Sequence, residues 1–447
     1  MVSPVELGPG PQMTSTTHAI GLPWRVLLIW IVAVTLIALG SVVAILAVGG
    51  QPDPSASRAT ATLLNGPWKF HTGDDPQWAG IGTDDSGWET IDLSAAPGSH
   101  DGDVGLPDYV DGWMAHGHSG YQGYAWYRRT VTVPAGTELW DLLGPTAVDD
   151  GYELYWNGRR LGGSGQLGVA PPKVVGTRPM RYTLPMDASG RSSVLAIRTF
   201  MQHSVDYSAD SGGIHTAPML VPRSVSGALY SAQWWRTIAG YVVDLVEPIT
   251  MFLLAGLALV LRPRSSRGAF LVFASAALVL SAAKRVCNPL YYWTDLLSLT
   301  DYLWLTAVFL VPVSLAAWTF AWNRWCARPW RVIDITAIVF AVACAAGGAW
   351  HEAMLVQGSR LGSLALFVLI AVRMSLGSPM RILAGATMAL VAIALFADEL
   401  SLIGVPGIWF PLGIGVSRTQ YAYAIAIPLL AWLIVRSVTD QRRNRAQ

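Results

Sequence analysis

The sequence predicts an α-helical membrane protein, one N-terminal anchor plus a seven-helix bundle, with an extracytoplasmic all-β domain between them. Three observations carry this. The chain is 52% hydrophobic and only 13% charged, about half the charge of an ordinary soluble domain. Apolar runs of membrane-spanning length lie at one early position and repeatedly after Trp235. Between them lies a stretch rich in Trp, Tyr, Asp, Gly and Pro, with short alternating runs and no long helical period.

Residues 1–22 are polar and rich in Pro and Gly, and read as a disordered cytoplasmic tail. Residues 23–49 read as a transmembrane anchor, because Trp24 to Val48 is almost continuously apolar and about 20 residues cross a bilayer core. Ala47-Val48-Gly49 leaves cleavage after the anchor open. A Pro/Ser-rich linker fills 50–60, and the β-sandwich domain is placed at 61–230. In it, Tyr127, Val131 and Val133 share one face of a strand, and Tyr152, Leu154 and Trp156 share a face of the next. Asn157-Gly158 follows, the pair that favours a type I′ hairpin turn. Val194 to Thr199 forms a further short strand.

The seven-transmembrane-helix domain is placed at 235–437, with spans at 236–261, 268–284, 302–322, 331–350, 353–373, 380–398 and 418–436, and a basic cytoplasmic tail at 438–447. Arg262, Arg264 and Arg267, then Arg324, Arg328 and Arg331, then Arg373 and Arg381, then Arg436 to Arg445 all fall on one side of such a bundle. The positive-inside rule makes that side cytoplasmic. The β-domain and the loops near Tyr292, His351 and Trp409 then face outward from a cell (inner or plasma) membrane. Lys284-Arg285 is the exception to the charge pattern. Trp and Tyr residues near the helix ends read as an interfacial belt.

Net charge near zero gives no bulk field for nucleic acid. The three cysteines, Cys287, Cys326 and Cys344, all lie in the membrane half, so the β-domain has no disulfide framework and no Cys-based metal site. No cofactor is expected.

Five motifs occur in order: Gly66-Pro67-Trp68-Lys69-Phe70; Asp84-Asp85-Ser86-Gly87-Trp88; Gly123-Tyr124-Ala125-Trp126-Tyr127-Arg128-Arg129; Asp149-Asp150-Gly151-Tyr152-Glu153-Leu154-Tyr155-Trp156-Asn157-Gly158; and Gly162-Gly163-Ser164-Gly165. This order resembles the N-terminal jelly-roll, galactose-binding-like sugar-binding domain of family 2 glycoside hydrolases. Joined to seven helices, the whole resembles bacterial seven-transmembrane receptors with diverse intracellular signalling modules. The resemblance implies a receptor-like sensor whose outer domain takes a ligand, carbohydrate among the candidates. It departs from that family after Arg436, where about eleven residues remain and no output domain fits. A signal would therefore pass to a separate cytoplasmic protein. The rival expectations are an envelope scaffold whose β-domain docks a protein, and a transporter.

Catalysis is not expected. Glycosidases need two carboxylates flanking a sugar cleft, and in the resembled family these lie in a barrel absent here. Asp149, Asp150 and Glu153 read as turn caps and a solvated strand face. Ligand binding is instead placed on Trp113, His116, His118, Tyr121 and Tyr124, in a Gly-rich stretch that reads as a long loop. A metal held by His116 and His118 alone is disfavoured. Within the spans, Asp244 and Glu247 share a helix face, Lys284 and Arg285 end the second span, Arg360 lies inside the fifth, and Asp398-Glu399 ends the sixth. Such charges are costly in lipid and should pair inside the bundle. Pro248 marks an expected break in its helix. A retinal Schiff base is excluded, because the last span carries no Lys.

Overall fold

The computed structural model describes residues 60–101, 106–204, 207–237, 239–261, 266–326, 328–374, 379–403, 405 and 417–446. The anchor, the Pro/Ser linker and the Trp409 loop lie outside these.

The first half is built from antiparallel strands. A six-stranded sheet runs β3 (Glu89–Asp92), β2 (Pro67–Thr72), β4 (Tyr124–Thr132), β10 (Ser192–Phe200), β7 (Gly151–Trp156), β8 (Arg159–Ser164). A four-stranded sheet runs β1 (Thr62–Leu63), β12 (Met219–Pro222), β5 (Trp140–Leu143), β9 (Arg181–Thr183). A two-stranded ribbon joins β6 (Val148–Asp149) to β11 (Gly213–Ile214). Alternation decides which side chains meet. Ala125, Tyr127 and Val131 of β4, Tyr152, Leu154 and Trp156 of β7, and Leu195 and Ile197 of β10 enter one core with Leu142, Tyr182 and Leu220 of the opposite sheet. Tyr152 Oη and Tyr182 Oη meet 3.1 Å apart across it. Each large apolar side chain removed from water here contributes about 1.5–3 kcal/mol. Asn157 and Gly158 both take positive φ, 51° and 81°, and turn β7 into β8 as the Asn-Gly pair predicts.

Alternate residues of the larger sheet point away from that core and are nevertheless buried. Trp126, Arg128, Ala196 and Arg198 lie on this second face. The segment 73–88 folds over it, packing Trp78 and Trp88 on Trp126 and Ala196. Arg128 donates to Asp85 Oδ2 (3.0 Å) and to the carbonyls of Trp78 and Gly80. Arg198 holds Asp74 through two nitrogens and reaches Glu153 Oε2 at 3.1 Å. The Asp84–Trp88 and Gly123–Arg129 motifs thus form a strand and the cover that closes it.

A helix the sequence reading did not contain follows β12: α1, Arg223–Thr237. Its mixed polar surface gives only a weak apolar stripe. Asp141 on β5 receives Arg223 Nε (3.0 Å) and Ser226 Oγ (2.7 Å) and fixes its first turn to the sandwich. The helical half continues with α2 (Val243–Val260), α3 (Ser266–Trp293), α4 (Leu299–Trp325), α5 (Arg331–Trp350), α6 (Ala353–Arg373), α7 (Pro379–Leu395), α8 (Ala397–Leu402) and α9 (Arg418–Ala446).

Six helices among the described residues are long and apolar enough to cross a membrane, and Met380–Leu395 is a shorter apolar one. They share a single apolar core from Met251 to Ile434, with alanines such as Ala258, Ala274 and Ala277 at close crossings. Their outer faces expose Val260 (84%), Val342 (63%) and Val372 (74%). This inside-and-outside apolarity suits a lipid solvent and not water.

Three expectations change. The second span does not end at Lys284-Arg285 but runs on to Trp293, because Arg285 is paired inside the bundle. Pro248 breaks nothing. It sits near the start of α2, and the irregular turn is the 3₁₀ segment Ala239–Val242 before it. The stretch 380–398 is divided at Phe396 (φ −114°, ψ 34°), where α8 restarts the chain. Arg360 Nη2 donates to Leu395 O, at the end of α7 (3.3 Å), and Arg418 Nη2 to Ala397 O, at the start of α8 (3.1 Å).

The sandwich sits directly on helix ends. Leu299 N donates to Val174 O (2.9 Å), Thr300 Oγ1 to Gln202 Oε1 (3.2 Å), Arg178 pairs with Asp295, and His203 meets His351 at 5.6 Å between ring centroids. A Cβ on Gly176 would stand 2.6 Å from Tyr291 O, so only glycine permits this approach. The Tyr292 and His351 ends of the helices therefore share a side with the β-domain. Arg324, paired with Asp334 at 2.7 Å, and Arg373, bonded to Arg328 O at 2.6 Å, lie at the other ends.

Candidate functional site

The residues predicted to form a binding loop take different roles. Trp113 is fully buried in the sandwich core, and its indole donates to Tyr121 O at 3.0 Å. It is therefore not a surface platform. Gly212 explains the burial, since a Cβ there would lie 2.4 Å from the indole nitrogen. Tyr121 is half-buried, donating to Tyr124 O (2.6 Å) and accepting from Gly73 N (3.1 Å). Tyr124 packs on Phe200 (4.6 Å), lies under the Arg198 guanidinium (4.5 Å), and donates to Leu167 O. His118 is held by Glu89 at 2.9 Å, and His116 is exposed in the same 3₁₀ turn region. No group of three metal-ligating side chains exists among the described residues.

Glu153 is not on a solvated face, contrary to the expectation for it, and Asp149 and Asp150 are only partly exposed. Glu153 is buried among Arg160 (3.0 Å), Arg198 and Tyr155 (2.9 Å). Asp149 accepts from Gly212 N (2.9 Å) and lies 3.1 Å from His215 Nε2, in ion-pair range though not aligned as a hydrogen bond. His215 Nδ1 donates to Val110 O, and Tyr109 stacks on the ring at 4.5 Å. Asp150 Oδ2 accepts from Gln202 N at 2.8 Å.

Burial opposes the charge on both Asp149 and His215, but each outweighs it for the other. The Asp149 carboxyl is held below its ordinary range and the imidazole above its own. Asp150 has no such partner. Burial, and then the charge of Asp149, push it up to about 8.

The sign of the pH effect follows. Unfolded, Asp150 ionises near about pH 4; folded, it keeps its proton to about 8. The contribution of Asp150 to stability is therefore fully present below about pH 4 and is lost as pH rises through about 8. His215, raised in the fold, acts in the same direction. We predict that the thermal midpoint of the sandwich falls between about pH 5 and about pH 9, and that Asp150→Asn flattens this slope while preserving the acceptor for Gln202. An unchanged slope in the variant would assign the effect to other groups.

Beneath the sandwich, the intramembrane charges divide into two clusters. In the first, Arg285 lies 3.2 Å from Asp244 Oδ1 and 2.9 Å from Glu247 Oε2. Asn288 donates to Asp244 Oδ2 (2.6 Å), Gln420 to Asp244 Oδ1 (3.2 Å), and Tyr302 to Asn288 Oδ1 (2.8 Å). The Arg285 guanidinium also faces the Tyr423 ring at 5.8 Å. In the second, Arg360 grips Glu399 with two nitrogens and Asp398 at 3.0 Å. Lys284 makes no ion pair with another described residue. Asn288, Tyr302, Gln420 and Tyr423 were not among the predicted site residues. Their one sequence signal is a polar side chain inside an apolar helix.

These two levels are joined. Gln202, whose backbone holds Asp150, accepts from Thr300 at the start of α4. Two residues on, Tyr302 stacks on Tyr291 at 4.6 Å and reaches Asn288, which holds Asp244 against Arg285. A series of polar and aromatic contacts thus runs from the sandwich floor to Thr300 and, two residues along the backbone, from Tyr302 into the bundle.

Fold and site together define a multi-pass membrane protein carrying a two-sheet β-domain on its helix ends. No protein-family model matches the chain. No curated protein matches it either. Among solved structures it is similar to Bacteroides uniformis β-glucuronidase 2, at 22% identity and a TM-score of 0.27, over 36% of this chain and 18% of that one. A family 2 glycosyl hydrolase from Bacteroides cellulosilyticus gives 18% identity and 0.27, over 36% and 20%. The β-glucuronidase of Faecalibacterium prausnitzii gives 16% and 0.24, over 36% and 31%. The chain spans less than a third of each of these proteins.

Proposed function

We propose that the chain is a receptor-like membrane sensor. Its β-domain is a galactose-binding-like jelly roll facing outward, and its bundle counts seven spans once Met380–Leu395 is included. The domain takes an extracytoplasmic ligand, carbohydrate foremost, and the bundle passes the event to a separate cytoplasmic protein. The order of the five sequence motifs supports the ligand class. The Arg-rich helix ends opposite the sandwich support the orientation. It is proposed as a binding protein and not an enzyme, since Glu153 is committed to Arg160, Arg198 and Tyr155.

The single observation that carries this reading is the series of contacts from Asp150 through Gln202, Thr300, Tyr302 and Asn288 to Asp244 and Arg285. A domain that merely docked a partner has no need of such a series of contacts leading to buried intramembrane charges. The test is a glycan array with thermal-shift follow-up on the full chain in lipid nanodiscs. The proposal expects at least one saccharide class to bind saturably and raise the unfolding midpoint. A complete absence of hits across neutral and acidic glycans would contradict it.

A further inference from the structure

The elbow between the sandwich and α1 forms a partly open cavity of about 340 Å³. The first turn of α1 is fixed by Asp141, and Leu229 packs on Leu143 and Val221. Beyond Leu229 the helix and the β1 edge part, leaving walls of Leu63, Leu93, Leu106, Met219 and Ala232. Leu63 remains 45% exposed there. Arg236 and Asp108 close one side as an ion pair at 3.4 Å. Thr146 and Thr216 satisfy each other on another, at 3.1 Å.

Among the buried polar side-chain atoms of this lining, Gln233 Oε1 is the unmatched one. The side chain projects from α1 into this lining, and its Oε1 is buried with no hydrogen-bond partner. Buried side-chain carbonyls nearly always have a donor. A cavity of this size, with apolar walls, a few polar groups and one of them unsatisfied, has the ordinary form of a small-ligand site.

We infer that this elbow cavity is a binding site for a small neutral compound with an apolar body and an amide or hydroxyl head that hydrogen-bonds Gln233. Neutrality follows from the wall, where Arg236 and Asp108 cancel each other. The site lies away from Tyr121, Tyr124 and His118 and does not depend on the domain binding sugar. A compound seated there touches both the sandwich and α1, the helix that leads into the first span, and so fixes their angle.

The experiment uses benzamide as the probe, titrated calorimetrically into the full chain in nanodiscs with empty nanodiscs subtracted. The expected result is saturable binding to the unmodified protein. Gln233→Leu, which keeps the volume and removes the amide, should weaken it at least about tenfold, and Ala232→Phe, which fills the chamber, should abolish it. No binding beyond that of empty nanodiscs, or equal binding to all three proteins, overturns the inference. Glycan binding is read separately, so a saccharide hit without benzamide binding would sink this site and leave the sensor proposal standing.

Discussion

Replacing Arg285 with Met will leave Asp244 and Glu247 buried together in the bundle without a counter-charge, and the protein will lose about 3–5 kcal/mol of stability. Asp244 is fully buried, and Glu247 is nearly so. Asn288 and Gln420 give Asp244 neutral donors, but Glu247 Oε1 already lacks a partner. The variant should therefore unfold at a much lower temperature in mild detergent or fail to accumulate in membranes. The companion variant Asp244→Asn/Glu247→Gln/Arg285→Met removes all three charges at similar volume and should recover most of the loss. A single Arg285→Met that melts like the unmodified chain would show that the pairs are not formed.

The second large effect lies in the sandwich. Arg198→Met removes the cation between Asp74 and Glu153, with a predicted loss of about 3 kcal/mol. Glu153 retains Arg160 and Tyr155, whereas Asp74 keeps only the Trp126 indole at 3.3 Å. The cover over the larger sheet should therefore loosen first. Limited proteolysis would detect this as new cleavage within residues 73–88 before the sandwich unfolds. Arg198→Lys keeps the charge but loses the paired geometry, and should fall between the two. Equal protease resistance in all three proteins would contradict the assignment of Arg198 as the clasp.

Much of this architecture was legible because it rests on short periods. The alternation of Tyr152, Leu154 and Trp156 names the core face directly, and Asn157-Gly158 names the turn. What failed was decided by residues distant in sequence. Lys284-Arg285 resembles a helix end until Asp244 and Glu247, about 40 positions earlier, are seen to pair with Arg285. Trp113 resembles an exposed platform among glycines until Gly212 is found against its ring. Asp149, Asp150 and Glu153 carry the composition of a turn, yet their neighbours come from β10, the residue before β11 and the sandwich floor. The elbow cavity has no sequence signature at all, because α1 and β1 meet there from opposite ends of the domain.

A sensor of the proposed kind requires the β-domain and the buried charge cluster to form one coupled unit. This coupling is tested most directly by amide hydrogen exchange on the full chain in nanodiscs, comparing the unmodified protein with Gly176→Val, which forces the sandwich off Tyr291. Such coupling predicts faster exchange not only at the contact but beyond it, in α2 around Asp244 and in α3 around Arg285 and Asn288. Exchange changed only at residues 174–178 and 291–299, with the Asp244 and Arg285 region unaltered, would contradict it.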